Sequence, residues 1–159
     1  MGLGEKRLLV IGMGNIGRKV FKKMKNFMKV DSFDIQTDTE HVLNNSLKRA
    51  DFVSLHIPNS RENKCFIDSK KLSLMKNNSV LINTARGQIV SETALCDEIR
   101  SGRLKAAFDV FWEEPYDGSL KEYHPENFYM SPHVASTCSN FLIGCRKDLD
   151  KLIGNITNV

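Results

Sequence analysis

The sequence predicts an α/β fold built on a doubly wound parallel sheet, and three observations carry that expectation. Six short apolar runs alternate with segments of helical periodicity, the pattern of a parallel sheet covered on both faces. A glycine triplet, Gly12-Met13-Gly14-Asn15-Ile16-Gly17, sits between the first apolar run and the first helical segment. Arg86, Glu114 and His133 each stand just beyond a later strand-like run, and strand ends in such sheets face a common crevice.

Taken in order, the first strand is expected over Arg7 to Ile11, and the helix after it runs from Asn15 to Asn26. Between them the triplet is in the context that makes Gly-x-Gly-x-x-Gly a dinucleotide fingerprint. The first glycine permits the tight turn, the second lets a pyrophosphate approach the backbone, and the third lets helix and strand pack closely. The helix N-terminus adds unpaired N–H groups and the positive end of its dipole. The second strand, Lys29 to Phe33, ends at Asp34, where a carboxylate can accept both ribose hydroxyls of an adenosine and repel a 2′-phosphate. Because no Lys or Arg follows in Ile35-Gln36-Thr37-Asp38, NAD is favoured over NADP. Asp34 could instead only start a turn. Asp31 is a rival carboxylate inside the strand.

The alternation continues with a helix from Thr39 to Arg49, a strand from Phe52 to His56, a helix from Ser69 to Met75 and a strand from Val80 to Asn83. A helix from Glu92 to Ser101 follows, with Ser91 as its N-cap and Gly102 as its stop. Strands are then expected over Ala106 to Val110 and Phe128 to Ser131, separated by an irregular acidic-aromatic loop from Pro115 to Pro125. A last helix covers Thr137 to Ile153. No repeat, low-complexity tract or linker interrupts residues 1–159, so they read as one Rossmann-like domain.

Composition excludes several function classes. The chain has 159 residues, 41% hydrophobic and 26% charged, which suits a single globular domain with a real core. Its net charge of +4 comes from dispersed residues, many on one helix: Arg18, Lys19, Lys22, Lys23 and Lys25. Without aromatic interleaving this is a solvated face rather than a nucleic-acid surface, although part of the charge could steer anionic substrates. Cys65, Cys96, Cys138 and Cys145 form no metal or redox motif and read as reduced thiols of a cytoplasmic protein. No apolar run is long enough to span a membrane, and no signal peptide is visible.

Arg86 closes Asn83-Thr84-Ala85-Arg86-Gly87, Glu114 closes Asp109-Val110-Phe111-Trp112-Glu113-Glu114, and His133 lies in Ser131-Pro132-His133-Val134-Ala135. A cation with a two-pronged fork suits a substrate carboxylate. An imidazole with a carboxylate behind it suits proton exchange with an oxygen that gains negative charge as a carbonyl is reduced. Singly, each has a bland reading: a helix-cap arginine, a loop glutamate, a turn histidine. Their joint order and context favour a site. His56 follows an apolar strand and reads as structural or as an edge of the cofactor site rather than as catalytic. Trp112 either walls the substrate pocket or packs beneath its own loop.

These motifs, with Ser54-Leu55-His56-Ile57-Pro58, resemble the NAD-binding domain of the D-isomer-specific 2-hydroxyacid dehydrogenases over Gly4 to Leu152. The resemblance implies an NAD-dependent oxidoreductase moving a hydride between the cofactor and a D-2-hydroxy acid or 2-oxo acid. It assigns Arg86 to the substrate carboxylate and C2 oxygen, His133 to proton exchange and Glu114 to orienting that imidazole. By the same resemblance Asp109 lies beside the nicotinamide, Thr84 and Ala85 line its pocket, and Ile57 and Pro58 flank the adenosine. Asn63 stands where the family often places a cofactor-holding Thr. A homodimer formed through this domain is also implied.

Two departures are expected. The helix-strand unit that family members carry after the position of Asp34 is missing, so the third, edge strand of a 3-2-1-4-5-6 sheet should be absent, leaving Lys29 to Phe33 as a charged edge. The substrate domain is also missing from these residues. A different class of function, a non-catalytic NAD(H)-sensing or corepressor-like interaction module, is disfavoured by the intact Arg-Glu-His set. Formate oxidation is disfavoured because that branch is expected to carry Gln in place of Glu114.

Overall fold

The computed structural model describes residues 2–134. Six strands form one wholly parallel sheet: β1 Arg7–Ile11, β2 Lys29–Phe33, β3 Phe52–Leu55, β4 Val80–Asn83, β5 Lys105–Phe108 and β6 Phe128–Met130, in the order β2-β1-β3-β4-β5-β6. The connecting helices are α1 Asn15–Met24, α2 Glu40–Leu47, α3 Ser69–Leu74 and α4 Glu92–Arg100. Each expected element within these residues is present, its ends shifted by a few positions. β3 stops at Leu55 and β5 at Phe108, where the chain turns away into the loops that build the site. The expected helix from Thr137 to Ile153 lies outside the described residues, as do Ala135 and Ser136.

Burial on both faces explains the near-continuous apolar strands. In β1, Leu9 and Ile11 enter the larger core, while Leu8 and Val10 face the opposite side. The larger core is closed by Leu43 and Leu47 of α2, Leu72 of α3, and Leu95 and Ile99 of α4. On the other face Val20, Phe21 and Met24 of α1 pack against Leu8 and Val10. The basic residues of α1, Arg18, Lys19, Lys22, Lys23 and Lys25, are all exposed.

After β2 the chain closes a tight turn instead of adding another strand. The Asp34 N–H donates to Asp38 Oδ2 at 2.7 Å, and the Asp38 N–H returns to the Asp34 carbonyl at 2.9 Å. Among the described residues β2 is therefore the sheet edge, as the missing unit requires. Asp31 is a structural residue: Arg7 Nη1 lies 2.9 Å away and Arg49 Nη2 3.6 Å away. Ser91 occupies the N-cap position of α4, but its hydroxyl makes no capping bond and faces Thr93 Oγ1 at 3.4 Å. Asp68 does cap α3, accepting the Lys71 N–H at 2.9 Å. Gly102, at φ +72, ends α4 in the left-handed turn expected of it.

Asp51 fastens the N-terminal edge of the sheet. Its carboxylate accepts the Arg7 N–H at 2.8 Å and Lys76 Nζ at 2.6 Å, with Lys6 Nζ at 3.7 Å. Its own N–H donates to the Arg7 carbonyl and its carbonyl accepts the Val80 N–H, so one residue links the starts of β1, β3 and β4. Burial raises the carboxyl's pKa, but the Lys76 hydrogen bond, the Arg7 N–H and the two lysine charges outweigh it and hold the group below its ordinary value. A carboxyl lowered by folding stabilises the protein above its unfolded pKa, and that contribution disappears as pH falls through the folded value. Asp51→Ala is accordingly expected to lower stability by about 1–3 kcal/mol at neutral pH. The gap between wild type and Asp51→Asn should shrink below about pH 4, which denaturant melts at pH 7 and pH 3.5 would measure; a pH-independent gap would contradict the assignment.

Candidate cofactor and active site

The strand order reverses between β1 and β3, so the loops leaving their C-terminal ends diverge and open a crevice. Gly12 lies in the loop after β1 at φ +96, its N–H bound to the Phe33 carbonyl at 2.8 Å, and a Cβ there would strike the His56 carbonyl. A Cβ on Gly17 would strike the Gly12 carbonyl. The chain itself therefore requires these two glycines. Gly14 is different: its φ of −74 is open to any residue, and a Cβ would meet nothing within 4 Å. What Gly14 leaves room for is a group outside the chain, at the cap of α1 where N–H groups point outward. The cradle fits a dinucleotide pyrophosphate.

Two clefts meet over this turn. One, of about 520 Å³, is lined by Gly14, Asn15, Ile16, His56, Ile57, Pro58, Asn59, Thr84, Ala85 and Arg86. The other, of about 490 Å³, shares Gly14 and His56 to Pro58 and adds Gly12, Met13, Arg18, Asp34, Ile35, Gln36, Ser60, Glu62 and Asn63. Asp34 makes the turn contact, its Oδ1 accepting the Gln36 N–H at 3.0 Å, and it also lines the cleft. Buried Asn63 donates to the Pro58 carbonyl at 2.9 Å and so shapes the wall. His56 Nε2 pairs with Ser54 Oγ at 2.9 Å, and burial pushes its pKa down. A neutral, tethered imidazole suits a cleft wall rather than a proton carrier.

The three strand-end residues converge on the same side. Glu114 Oε2 lies 2.8 Å from His133 Nδ1, and Glu114 Oε1 accepts the Phe111 N–H at 3.1 Å. The His133 hydrogen bond is the main cause that holds the Glu114 carboxyl below its ordinary pKa; the Phe111 N–H and the charges of His133 and Arg86 assist, against partial burial. A carboxylate only accepts, so Nδ1 carries the hydrogen and Nε2 is left to take or give a proton. Arg86 lines the larger cleft. All three side chains are exposed on this face.

Their positions are set from behind by Asn83, Gly87, Gln88, Trp112 and Asp109. Fully buried Asn83 donates from Nδ2 to the Arg86 carbonyl at 2.9 Å and accepts the Ala85 N–H at 3.0 Å, which shapes the loop carrying Arg86. Gly87 packs so closely on Phe111 and Trp112 that a Cβ would collide with their backbone; this lets the Arg86 loop approach the Glu114 loop. Gln88 Nε2 ties them at 2.8 Å to the Trp112 carbonyl. Trp112 itself packs beneath its loop, donating from Nε1 to the Val90 carbonyl at 2.7 Å, with its ring tilted against those of Phe108 and Tyr116. Asp109 Oδ1 accepts from Ser131 Oγ at 2.6 Å and the Val134 N–H at 3.2 Å, bracketing His133, which sits at φ 53. The signal for these residues lay inside the motifs, but periodicity does not separate a loop-forming polar residue from a ligand.

A parallel doubly wound sheet with a ligand-sized cradle at its switch point defines a dinucleotide-binding domain. The model of the family described as "D-isomer specific 2-hydroxyacid dehydrogenase, NAD binding domain" matches residues 1–135, and the chain belongs to that family. It is 36% identical over 146 residues to a glyoxylate reductase of Thermococcus litoralis, covering 85% of this chain and 44% of the relative. Among solved structures, D-lactate dehydrogenase from Aquifex aeolicus, complexed with NAD and lactic acid, superposes with a TM-score of 0.83 at 28% identity, covering 99% of this chain and 55% of that one. An acyclic imino acid reductase in complex with NADPH and D-Arg gives 0.84 at 28% identity, covering 99% and 52%. The chain thus spans about half the length of the relatives it matches. No helix among the described residues is long and apolar enough to cross a membrane.

The glycines supply a direct test. Gly17→Ala is expected to lower the melting temperature of the ligand-free protein, because helix and turn must part. Gly14→Ala should leave that temperature unchanged and instead weaken stabilisation by NADH. Equal melting losses in both variants would remove the argument that Gly14 makes room for a ligand.

Proposed function

We propose that this chain is the cofactor-binding half of an NAD-dependent D-2-hydroxyacid dehydrogenase, with Arg86, Glu114 and His133 as its acid-base and substrate-clamping set. The observation that carries the reading is the 2.8 Å Glu114–His133 contact on the face that Arg86 also reaches. A nucleotide sensor has no use for an imidazole backed by a carboxylate. Gly12 to Gly17, Asp34, His56 to Pro58, Asn63, Thr84, Ala85 and Asp109 would hold or flank the nicotinamide dinucleotide, which supplies a hydride donor and acceptor when bound. Asp34 favours NAD by accepting ribose hydroxyls and opposing a 2′-phosphate.

The chain's own residues do the rest. The Arg86 fork grips the carboxylate of a short 2-oxo or 2-hydroxy acid and fixes its C2 oxygen toward the imidazole. His133 Nε2 delivers a proton to that oxygen during reduction and removes one during oxidation, while Glu114 keeps Nδ1 protonated and the ring aligned. The substrate class fits the names of the relatives, glyoxylate reductase and D-lactate dehydrogenase. Two copies pairing through this domain and a cytoplasmic setting belong to the same proposal; Cys65 and Cys96 are free thiols. Sedimentation showing only monomer at high concentration would remove the dimer.

NADH is expected to raise the melting temperature more than NADPH, and Asp34→Ala to narrow the difference; equal stabilisation by both would overturn the cofactor assignment. In a protein that includes a substrate domain, His133→Ala should reduce turnover by about 10²–10⁴-fold with NADH binding retained. Glu114→Gln should cost less and move the alkaline limit of 2-oxo acid reduction to lower pH. The wild-type acid limit should lie below the ordinary carboxylate range, because the ionised form of Glu114 is present above it and is lost only as pH falls through the lowered folded value. Residues 1–159 alone should bind NADH yet oxidise it slowly with glyoxylate, pyruvate or hydroxypyruvate, since Arg86, Glu114 and His133 are all exposed and substrate positioning needs contacts beyond these three.

A further inference from the structure

The absence of a basic residue after Asp34 is a statement about sequence, and the fold alters it. Arg18, on α1, lines the same cleft as Asp34. Its Nε donates to the Met13 carbonyl at 2.6 Å, which fastens the guanidinium to the glycine turn. Among the described residues no salt bridge joins Arg18 to Asp34 or to Glu62, the second carboxylate on the cleft wall, and the Asp34 carboxylate is engaged by the Gln36 N–H. A cation and two carboxylates thus line one cavity of about 490 Å³ without forming an ion pair among the described residues.

The two clefts divide the crevice. The one with Thr84, Ala85 and Arg86 continues toward the active-site face, and Arg18 is not part of it. The one with Asp34 and Arg18 is the far end, where the adenosine belongs if the cofactor reading above is correct. The adenosine ribose of NAD carries no anion there, whereas that of NADP carries a 2′-phosphate. A guanidinium is the side chain best suited to a phosphate, through paired charge-assisted hydrogen bonds.

We propose that Arg18 is a cofactor-discriminating residue: it is the 2′-phosphate recognition group of this cleft, and Asp34, with Glu62, opposes it. The selectivity for NADH is then a balance of opposed charges at one subsite rather than the result of a missing cation. Loss of the Asp34 carboxylate is sufficient to admit NADPH, because the partner for the 2′-phosphate is already in place. This inference rests on the cofactor reading, and the binding of NADH by wild type tests that reading separately.

The experiment is a binding titration, by cofactor fluorescence or calorimetry, of NADH and NADPH against wild type, Asp34→Ala, Arg18→Ala and the double variant, with 2′,5′-ADP and 5′-ADP as fragments. Asp34→Ala is expected to tighten NADPH and 2′,5′-ADP by about tenfold or more. Adding Arg18→Ala should cancel that gain while changing NADH by less than about threefold. The gain should also fade between low salt and about 0.5 M salt, as an exposed charge contact does. Equal NADPH affinity with and without Arg18 in the Asp34→Ala background overturns the proposal. A parallel loss of NADH and NADPH in Arg18→Ala overturns it in favour of a role in shaping the turn. Failure of wild type to bind either cofactor overturns the cofactor reading and this inference with it.

Discussion

The wholly parallel ladder is the constraint on which the site depends. Because every strand runs the same way, each C-terminal end opens on one edge of the sheet, and each following loop departs from that edge. Residues far apart in sequence become neighbours for this reason alone. Arg86 after β4, Glu114 after β5 and His133 after β6 share a face because their strands are adjacent and in register. The reversal between β1 and β3 then places the glycine turn and the His56 to Pro58 turn on diverging paths and leaves a crevice between them.

Adjacent strands bring the loops near, but not near enough for a 2.8 Å contact of defined orientation. That closeness comes from a second layer of packing. Gly87 removes the side chain that would hold the Arg86 loop away from Phe111, and Gln88 and Trp112 fasten the two loops with one hydrogen bond in each direction. Asn83, buried at the end of β4, shapes its own loop by bonding the Arg86 carbonyl and the Ala85 N–H, and Asp109, buried after β5, holds the neighbouring segment after β6 through Ser131 Oγ and the Val134 N–H. Exposed reactive side chains on a rigid, buried support are what positional catalysis needs.

Much of this was legible in the sequence, for a physical reason that also marks where legibility stops. Strands and helices announce themselves by period, and Gly12 and Gly17 by the turn that only glycine allows. The missing edge strand was legible because too few residues separate Asp34 from α2 to make one. Ser91 takes the N-cap position of α4 as expected, but its hydroxyl faces Thr93 Oγ1 at 3.4 Å and makes no capping bond. Arg18 was not legible as a cleft residue for a related reason: on the helical pattern it belongs with the lysines of the solvated face, whereas in the fold its Nε bonds the Met13 carbonyl and the residue lines the cleft. Periodicity assigns a residue to a face, whereas a single hydrogen bond decides where the end of a long side chain lies.

The carboxylates show how one residue type is divided between stability and function. Asp51 lies before the start of β3 and Asp31 in the middle of β2, and each has cations within ion-pair distance, so their charge is engaged inside the fold. Asp34 and Glu114 follow the C-terminal ends, and the groups that hold them are backbone N–H donors and an imidazole. A backbone N–H orients a carboxylate without neutralising it, so the negative charge remains available to a ribose, a phosphate or a titrating ring. The division of the carboxylates between those engaged inside the fold and those left at the candidate site is therefore set by which cations each can reach.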